Sequence, residues 1–184
     1  MKLNVEGMNE SAGVQERKTQ KRKKGPDDQL SVSAISALSP EHPLDICVIN
    51  GDWRKAHMAN IIIARKTPGG FAAVGFLVDT WGVGLKDGFM HKSLSRTELD
   101  QLLSMAGRNF ELVECPLSLA QKLVYGGLAW ARQNGFRVPS EVIRSLRILP
   151  APTVEPDLSG FGAEDGKPVL VGTLANIKKF LTRQ

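Results

Sequence analysis

The chain has 184 residues, of which 42% are hydrophobic, and 24 Lys and Arg against 19 Asp and Glu give a net charge of +5. This length allows one ordinary domain with one core and excludes a large multidomain enzyme. The longest apolar stretch, Phe71 to Val78, is far shorter than the roughly 20 residues of a membrane-spanning helix. The two cysteines and three histidines show no zinc-site spacing. We expect a cytoplasmic protein with no membrane partner, metal or cofactor.

The first 39 residues predict a disordered basic leader. No aromatic residue precedes Trp53, and the apolar positions up to Ser39 follow neither helical nor strand periodicity. Six basic side chains stand within eight residues, with no acidic residue between them: Arg17, Lys18, Lys21, Arg22, Lys23 and Lys24. Such a run repels itself and cannot pack, so it forms either a solvated tail or an arm that contacts phosphates through counterion release.

A single folded domain is predicted for residues 40–184, and its first elements are strands. Leu44 to Ile49 predicts a short strand, and Met58 to Arg65 a second one, because consecutive isoleucines fit a pleated surface better than a helix. Turn residues follow at Pro68 and Gly69, and Phe71 to Thr80 predicts a third strand. The hairpin at about residues 58–80 is therefore the predicted centre of a small antiparallel sheet.

The next segment, residues 81–89, alternates glycine with larger residues, which predicts a bulge or a close approach by another group. Burying a charged side chain in this apolar segment costs free energy unless the charge is paired, so we expect Asp79 or Asp87 to pair with Lys86. We interpret this pairing as structural, with phosphate binding or acid–base chemistry as the alternative. Trp53 either stacks a base or covers the core. The candidate cleft consists of Trp53, Asp79, Lys86 and Asp87.

Two main helices are predicted, at about residues 96–106 and 116–134. Ser95 and Glu98 have the spacing of a capping box at the start of the first helix. Pro116 suits the first turn of the second helix, which ends before Gly135. Gly126 and Gly127 within it predict close packing against the sheet. The predicted fold is α+β, a small antiparallel sheet packed by these two helices.

Cys115 is the better candidate of the two cysteines for chemical reactivity. It precedes Pro116 at a predicted helix start, where the helix dipole lowers the pKa of a thiol. The alternative is a small buried hydrophobic residue, which is the commoner role of a free cysteine.

Three segments resemble a family of bacterial proteins of unknown function. They are Phe76 to Asp87, Leu123 to Pro139 and Phe161 to Pro168. The family typically reads L-V-D, four residues, then G-V-K-D or G-V-K-N, followed by a Y-G or W-G helix that ends in G-F-x-P-H. Many relatives have cysteine where Gly82 stands and histidine where Ser140 stands. The resemblance covers about residues 44–180, so it implies the domain boundary, but the family has no established activity to transfer.

The absence of a recognisable catalytic motif favours a non-enzymatic binding or accessory module of a bacterial cell, whose basic leader contacts nucleic acid or an acidic protein. One alternative is a metal-dependent nuclease, because strand, strand, strand, helix, strand, helix is also the start of an RNase H-like sheet. Such a sheet places metal-binding carboxylates at positions that correspond here to Asp45, to Glu98 or Asp100, and to Glu114. The set we consider is Asp45, Asp100 and Glu114. Another alternative is a protein-interaction subunit of a larger assembly.

Overall fold

The computed structural model describes residues 39–171 and 178–181. The basic run between Arg17 and Lys24 lies outside the described residues. The elements follow in chain order: β1 Leu44–Asn50, α1 Trp53–Ala56, β2 Met58–Thr67, β3 Gly70–Asp79, β4 Gly84–Leu94, α2 Arg96–Gly107, β5 Leu112–Glu114, α3 Leu117–Gln133 and α4 Ser140–Ser145. A short 3-10 turn, Leu146–Ile148, follows α4.

The five strands form one antiparallel sheet in the order β4-β3-β2-β1-β5. The pairing of β2 with β3 runs without interruption from Met58 opposite Asp79 to Thr67 opposite Gly70, with Pro68 and Gly69 at the tip. The predicted central hairpin and the α+β class are confirmed.

The two faces of the sheet carry separate clusters of apolar side chains, because successive residues of a strand point to opposite sides. Ile61 and Ile63 belong to the larger cluster, which includes Val124 of α3. Ala64 follows Ile63 and points to the opposite face, where it belongs to the smaller cluster with the fully buried Leu99 of α2. The two predicted helices therefore cover opposite faces of the sheet.

Strand β4 was not predicted by the sequence pattern. The predicted irregularity is present, since the register shifts between Leu77 and Val78 of β3. The predicted close approach is also present, because a Cβ on Gly84 would overlap the carbonyl of Gly127 in α3. The segment is nevertheless a strand, since pairing along β3 outweighs the low strand propensity of glycine. Four strands rather than three precede α2, so the element order that suggested an RNase H-like sheet is wrong.

The capping box at the start of α2 is confirmed. The Ser95 hydroxyl accepts a hydrogen bond from the Glu98 amide at 3.2 Å, and the Ser95 amide donates to the Glu98 carboxylate at 2.7 Å. The hydrogen bonds from the Ser95 backbone and hydroxyl lower the pKa of Glu98. No helix within the described ranges is long and apolar enough to cross a membrane.

Candidate binding groove

The register of the central hairpin brings two distant chain segments together at one end of the sheet. Because Met58 pairs with Asp79, the turn before β2 lies beside the turn after β3. The His57 carbonyl accepts hydrogen bonds from the Thr80 amide at 2.9 Å and the Thr80 hydroxyl at 3.2 Å. The imidazole of His57 consequently stacks on the indole of Trp81, with ring centroids 3.7 Å apart and planes 15° apart.

His57 has an unusual backbone conformation. It ends the short helix α1 with a φ of 54°, and it is the one non-glycine residue with positive φ among those the structure describes. Its amide donates back to the Trp53 carbonyl, so α1 and the stacked pair are linked through the backbone. Histidine is one of the residues that tolerate this left-handed conformation better than most.

A cavity of about 620 Å³ opens beside this stacked pair. We call it the aromatic groove. One wall is α1 with the turn after β3, another is the first half of α3, and the third is a loop. The lining residues are Trp53, Arg54, His57, Thr80, Trp81, Leu119, Lys122, Leu123 and residues 159–164.

The loop wall is fixed to the sheet by backbone hydrogen bonds. The Gly162 amide donates to the Thr80 carbonyl at 2.7 Å, and the Val169 amide donates to the Trp81 carbonyl at 2.8 Å. Phe161, 6% exposed, inserts beneath the loop and packs on Trp130 of α3 with ring centroids 6.0 Å apart. The groove is therefore a preformed feature of the fold.

The groove combines exposed aromatic surface with positive charge. Trp81 is 41% exposed. The Arg54 guanidinium lies 4.3 Å from the ring centroid of Trp53, within the range of a cation–π contact. Among the described residues no carboxylate forms a salt bridge with Arg54. A flat ligand that bears negative charge matches this combination.

The other charged residues of the groove add no net positive charge. The Lys122 ammonium lies 2.8 Å from the Asp157 carboxylate, so its charge is largely neutralised. Hydrogen bonds from Lys122 and Ser159 lower the pKa of Asp157 far below its usual value. Asp157 does not line the groove, whereas the carboxylate residue Glu164 of the loop does.

The four residues of the predicted cleft do not share one cavity. Trp53 packs on the core and also lines the aromatic groove, so the core-covering role is present and the stacking of a base stays a prediction. Asp79 and Lys86 line a separate cavity of about 290 Å³. Asp87 lines a third cavity, beside Ala106 of α2.

The expected ion pair in the glycine-rich segment is present between Asp79 and Lys86, with an N–O distance of 3.9 Å. Asp79 also accepts a hydrogen bond from the Gly82 amide at 2.7 Å, so it holds the turn between β3 and β4. Asp87 does not share this pair; it accepts from the amide of Gly88 at 2.8 Å. These contacts match the structural interpretation of the charges.

Two of the three carboxylates of the nuclease alternative contact the Arg96 guanidinium, and the third lies apart from them. Asp45 accepts two hydrogen bonds from the Arg96 guanidinium, at 2.9 and 3.1 Å, and Asp100 lies 3.8 Å from the same guanidinium. Glu114 is exposed on β5 opposite Val48, about 10 Å further along β1 than Asp45. In residues 39–171 and 178–181 no three or more His, Cys, Asp or Glu side chains are grouped to hold a metal ion.

His57 and Trp81 were not singled out as site residues from the sequence, although a signal for them was present. The predicted hairpin places the residues that flank its open end next to each other. Trp53 was predicted as a candidate from the sequence and lines the groove, but its neighbours across the sheet follow only from that register.

No protein-family model, curated protein or solved structure matches this chain, so the resemblance to a bacterial family stays a prediction.

Proposed function

We propose that this protein is a non-enzymatic binding module for single-stranded nucleic acid, in which unpaired bases stack in the aromatic groove. The observation that carries the proposal is the exposed Trp81 ring, stacked on His57 and next to the Trp53–Arg54 pair. Aromatic rings and guanidinium planes are the surfaces on which proteins stack unpaired bases.

The shape of the groove supports a ligand the size of one or two nucleotides. Its volume of about 620 Å³ falls within the range of about 300–1,000 Å³ that is typical of small-molecule sites. A duplex keeps its base faces stacked within the helix, so it cannot offer them to Trp81. We therefore expect single strands to bind and duplexes of the same sequence to bind weakly.

The basic leader supplies the phosphate contacts in this proposal. The groove offers one cation without a carboxylate partner among the described residues, Arg54, which is a weak attraction for a polyanion. The six basic residues between Arg17 and Lys24 would add counterion release, which makes affinity fall steeply with salt.

The proposal is tested by titrating the full chain against a fluorescently labelled mixed-sequence oligonucleotide, single-stranded and as a duplex, at several salt concentrations. We expect Trp81→Ala to weaken single-strand binding by about 5- to 150-fold, the usual effect of losing one stacked base. Replacing the six leader cations by glutamine should reduce the steepness of the salt dependence.

The matched control is Phe89→Leu, which alters an aromatic residue that is 39% exposed and lies outside the groove. This variant should bind as the unaltered protein does. Equal affinity of Trp81→Ala and the unaltered chain, or equal affinity for single strand and duplex, would contradict stacking in the groove.

A further inference from the structure

Cys47 and Cys115 lie opposite each other at the edge of the sheet. The register that pairs Val48 with Glu114 and Ile49 with Val113 continues to these two residues, and the Cys115 amide donates to the Cys47 carbonyl at 3.0 Å. Their Sγ atoms are 3.5 Å apart, and both thiols are free. The Cα atoms of such a hydrogen-bonded cross-strand pair are about 5.5 Å apart, which is within the range of disulfides.

We propose that Cys47 and Cys115 form a peroxide-sensitive dithiol site that closes to an intramolecular disulfide. The two thiols are placed for different roles. Cys115 is partly exposed just before α3, whereas Cys47 is 7% exposed on β1. Peroxide from solvent therefore reaches Cys115 first, and Cys47 is the resolving thiol beside it.

The local electrostatics support this assignment. The hydrogen bond between the two thiols lowers the pKa of Cys115 and raises that of Cys47, and burial raises the pKa of Cys47 further. The charge of Arg65 acts in the other direction on Cys47 and lowers its pKa. Cys115 is thus the thiol that ionises first, and the thiolate is the reactive form of cysteine.

The chemistry balances with hydrogen peroxide as the oxidant. The Cys115 thiolate attacks one peroxide oxygen, the O–O bond breaks, and the departing hydroxide takes a proton to become water. The product is a sulfenic acid on Cys115. The Cys47 sulfur then attacks the Cys115 sulfur; the S–S bond forms, the S–O bond breaks, and the Cys47 proton leaves with the hydroxide as water. One peroxide and two thiols yield one disulfide and two waters.

This site is independent of the aromatic groove, because neither cysteine lines it. The test therefore needs no nucleic acid. The reduced full-length chain is treated with a small molar excess of hydrogen peroxide, then unfolded, alkylated with iodoacetamide and weighed by mass spectrometry. We expect a monomer without alkyl groups and two hydrogens lighter than the reduced chain, reversed by dithiothreitol, with a peptide that joins Cys47 to Cys115. The chain has no other cysteine, so the count is unambiguous.

The order of reaction is tested with single variants and a dimedone probe for sulfenic acid. Cys47→Ser should accumulate dimedone adduct on Cys115, and Cys115→Ser should label Cys47 more slowly by about tenfold or more. Two alkylated thiols after peroxide, or only intermolecular dimers, would overturn the proposal. Equal labelling of the two variants would overturn the assigned roles. If a serine variant fails to fold, the mass spectrometry of the unaltered chain still shows whether the disulfide forms.

Discussion

Arg65, at the end of β2, is a buried charged residue that no sequence pattern singled out. It is 3% exposed, and burial lowers its pKa. Its Nε donates to the Ile148 carbonyl at 2.8 Å, and its Nη1 donates to the His42 carbonyl at 2.6 Å. One side chain thereby links the sheet to the turn after α4 and to the segment before β1.

We predict that Arg65→Met destabilises the fold by about 2–4 kcal/mol, because the buried Ile148 carbonyl and the partly buried His42 carbonyl lose a charged hydrogen-bond donor. Urea denaturation followed by circular dichroism measures this loss. The matched control is Lys66→Met at the next position, where the side chain is 59% exposed and its ion pair with Asp45 is 3.5 Å long. Lys66 is the exposed partner of this pair, and the buried Asp45 keeps its two hydrogen bonds from Arg96, so we expect a loss below about 1 kcal/mol. A similar loss in both variants would show that the buried hydrogen bonds are not the cause.

At the scale of the elements, the position of α3 on the sheet depends on Gly127. A Cβ at this position would lie 2.9 Å from Cγ1 of Val78 and 3.0 Å from the backbone nitrogen of Leu85. Both neighbours are buried, Val78 on β3 and Leu85 on β4, and cannot easily move. Gly127 therefore serves the close packing against the sheet that the sequence predicted, whereas Gly126 makes room for Phe161 of the loop and not for the sheet.

We predict that Gly127→Ala lowers the melting temperature, although alanine favours a helix by about 1 kcal/mol over glycine. Overpacking against Val78 and Leu85 costs about 1–3 kcal/mol and outweighs that gain. The control is Gly107→Ala at the end of α2, where an added Cβ meets nothing within 4 Å. Thermal unfolding of both variants compares the two sites; a stabilised Gly127→Ala would show that α3 can move away from the sheet.

At the scale of the whole molecule, the loop wall of the groove is anchored by Phe161, its buried aromatic residue. Phe161 lies against α3, where its ring occupies the space that a side chain at Gly126 would need. The loop amides at Gly162 and Val169 then reach the carbonyls beside the sheet. Stability and the shape of the groove therefore depend on the same residue.

We predict that Phe161→Ala destabilises the fold by about 3 kcal/mol, the usual cost of truncating a buried phenylalanine. Hydrogen exchange at the Gly162 and Val169 amides should also become faster, and single-strand binding should weaken. Val154→Ala is the control, since that side chain is 77% exposed in the preceding loop. Unchanged exchange at Gly162 in the Phe161 variant would mean that the backbone hydrogen bonds hold the loop without the anchor.

The sequence by itself determined the hairpin, the two main helices, the capping box and the close packing of α3. These features follow from turn residues, β-branched runs, helical periodicity and glycine spacing, which act over a few neighbouring positions. The same local reasoning predicted a pair of Lys86 with Asp79 or Asp87, because a charge in an apolar turn needs a nearby partner, and the structure shows the pair with Asp79.

Only the tertiary structure decided where distant residues meet. Strand β4 forms because β3 offers it a pairing edge, and its own glycines give no local indication of a strand. The groove joins segments near residues 55, 80, 120 and 160, and the cysteine pair joins residues 68 positions apart. These long-range contacts depend on strand order and register, which no short stretch of sequence encodes. For that reason the four residues of the predicted cleft lie in three separate cavities.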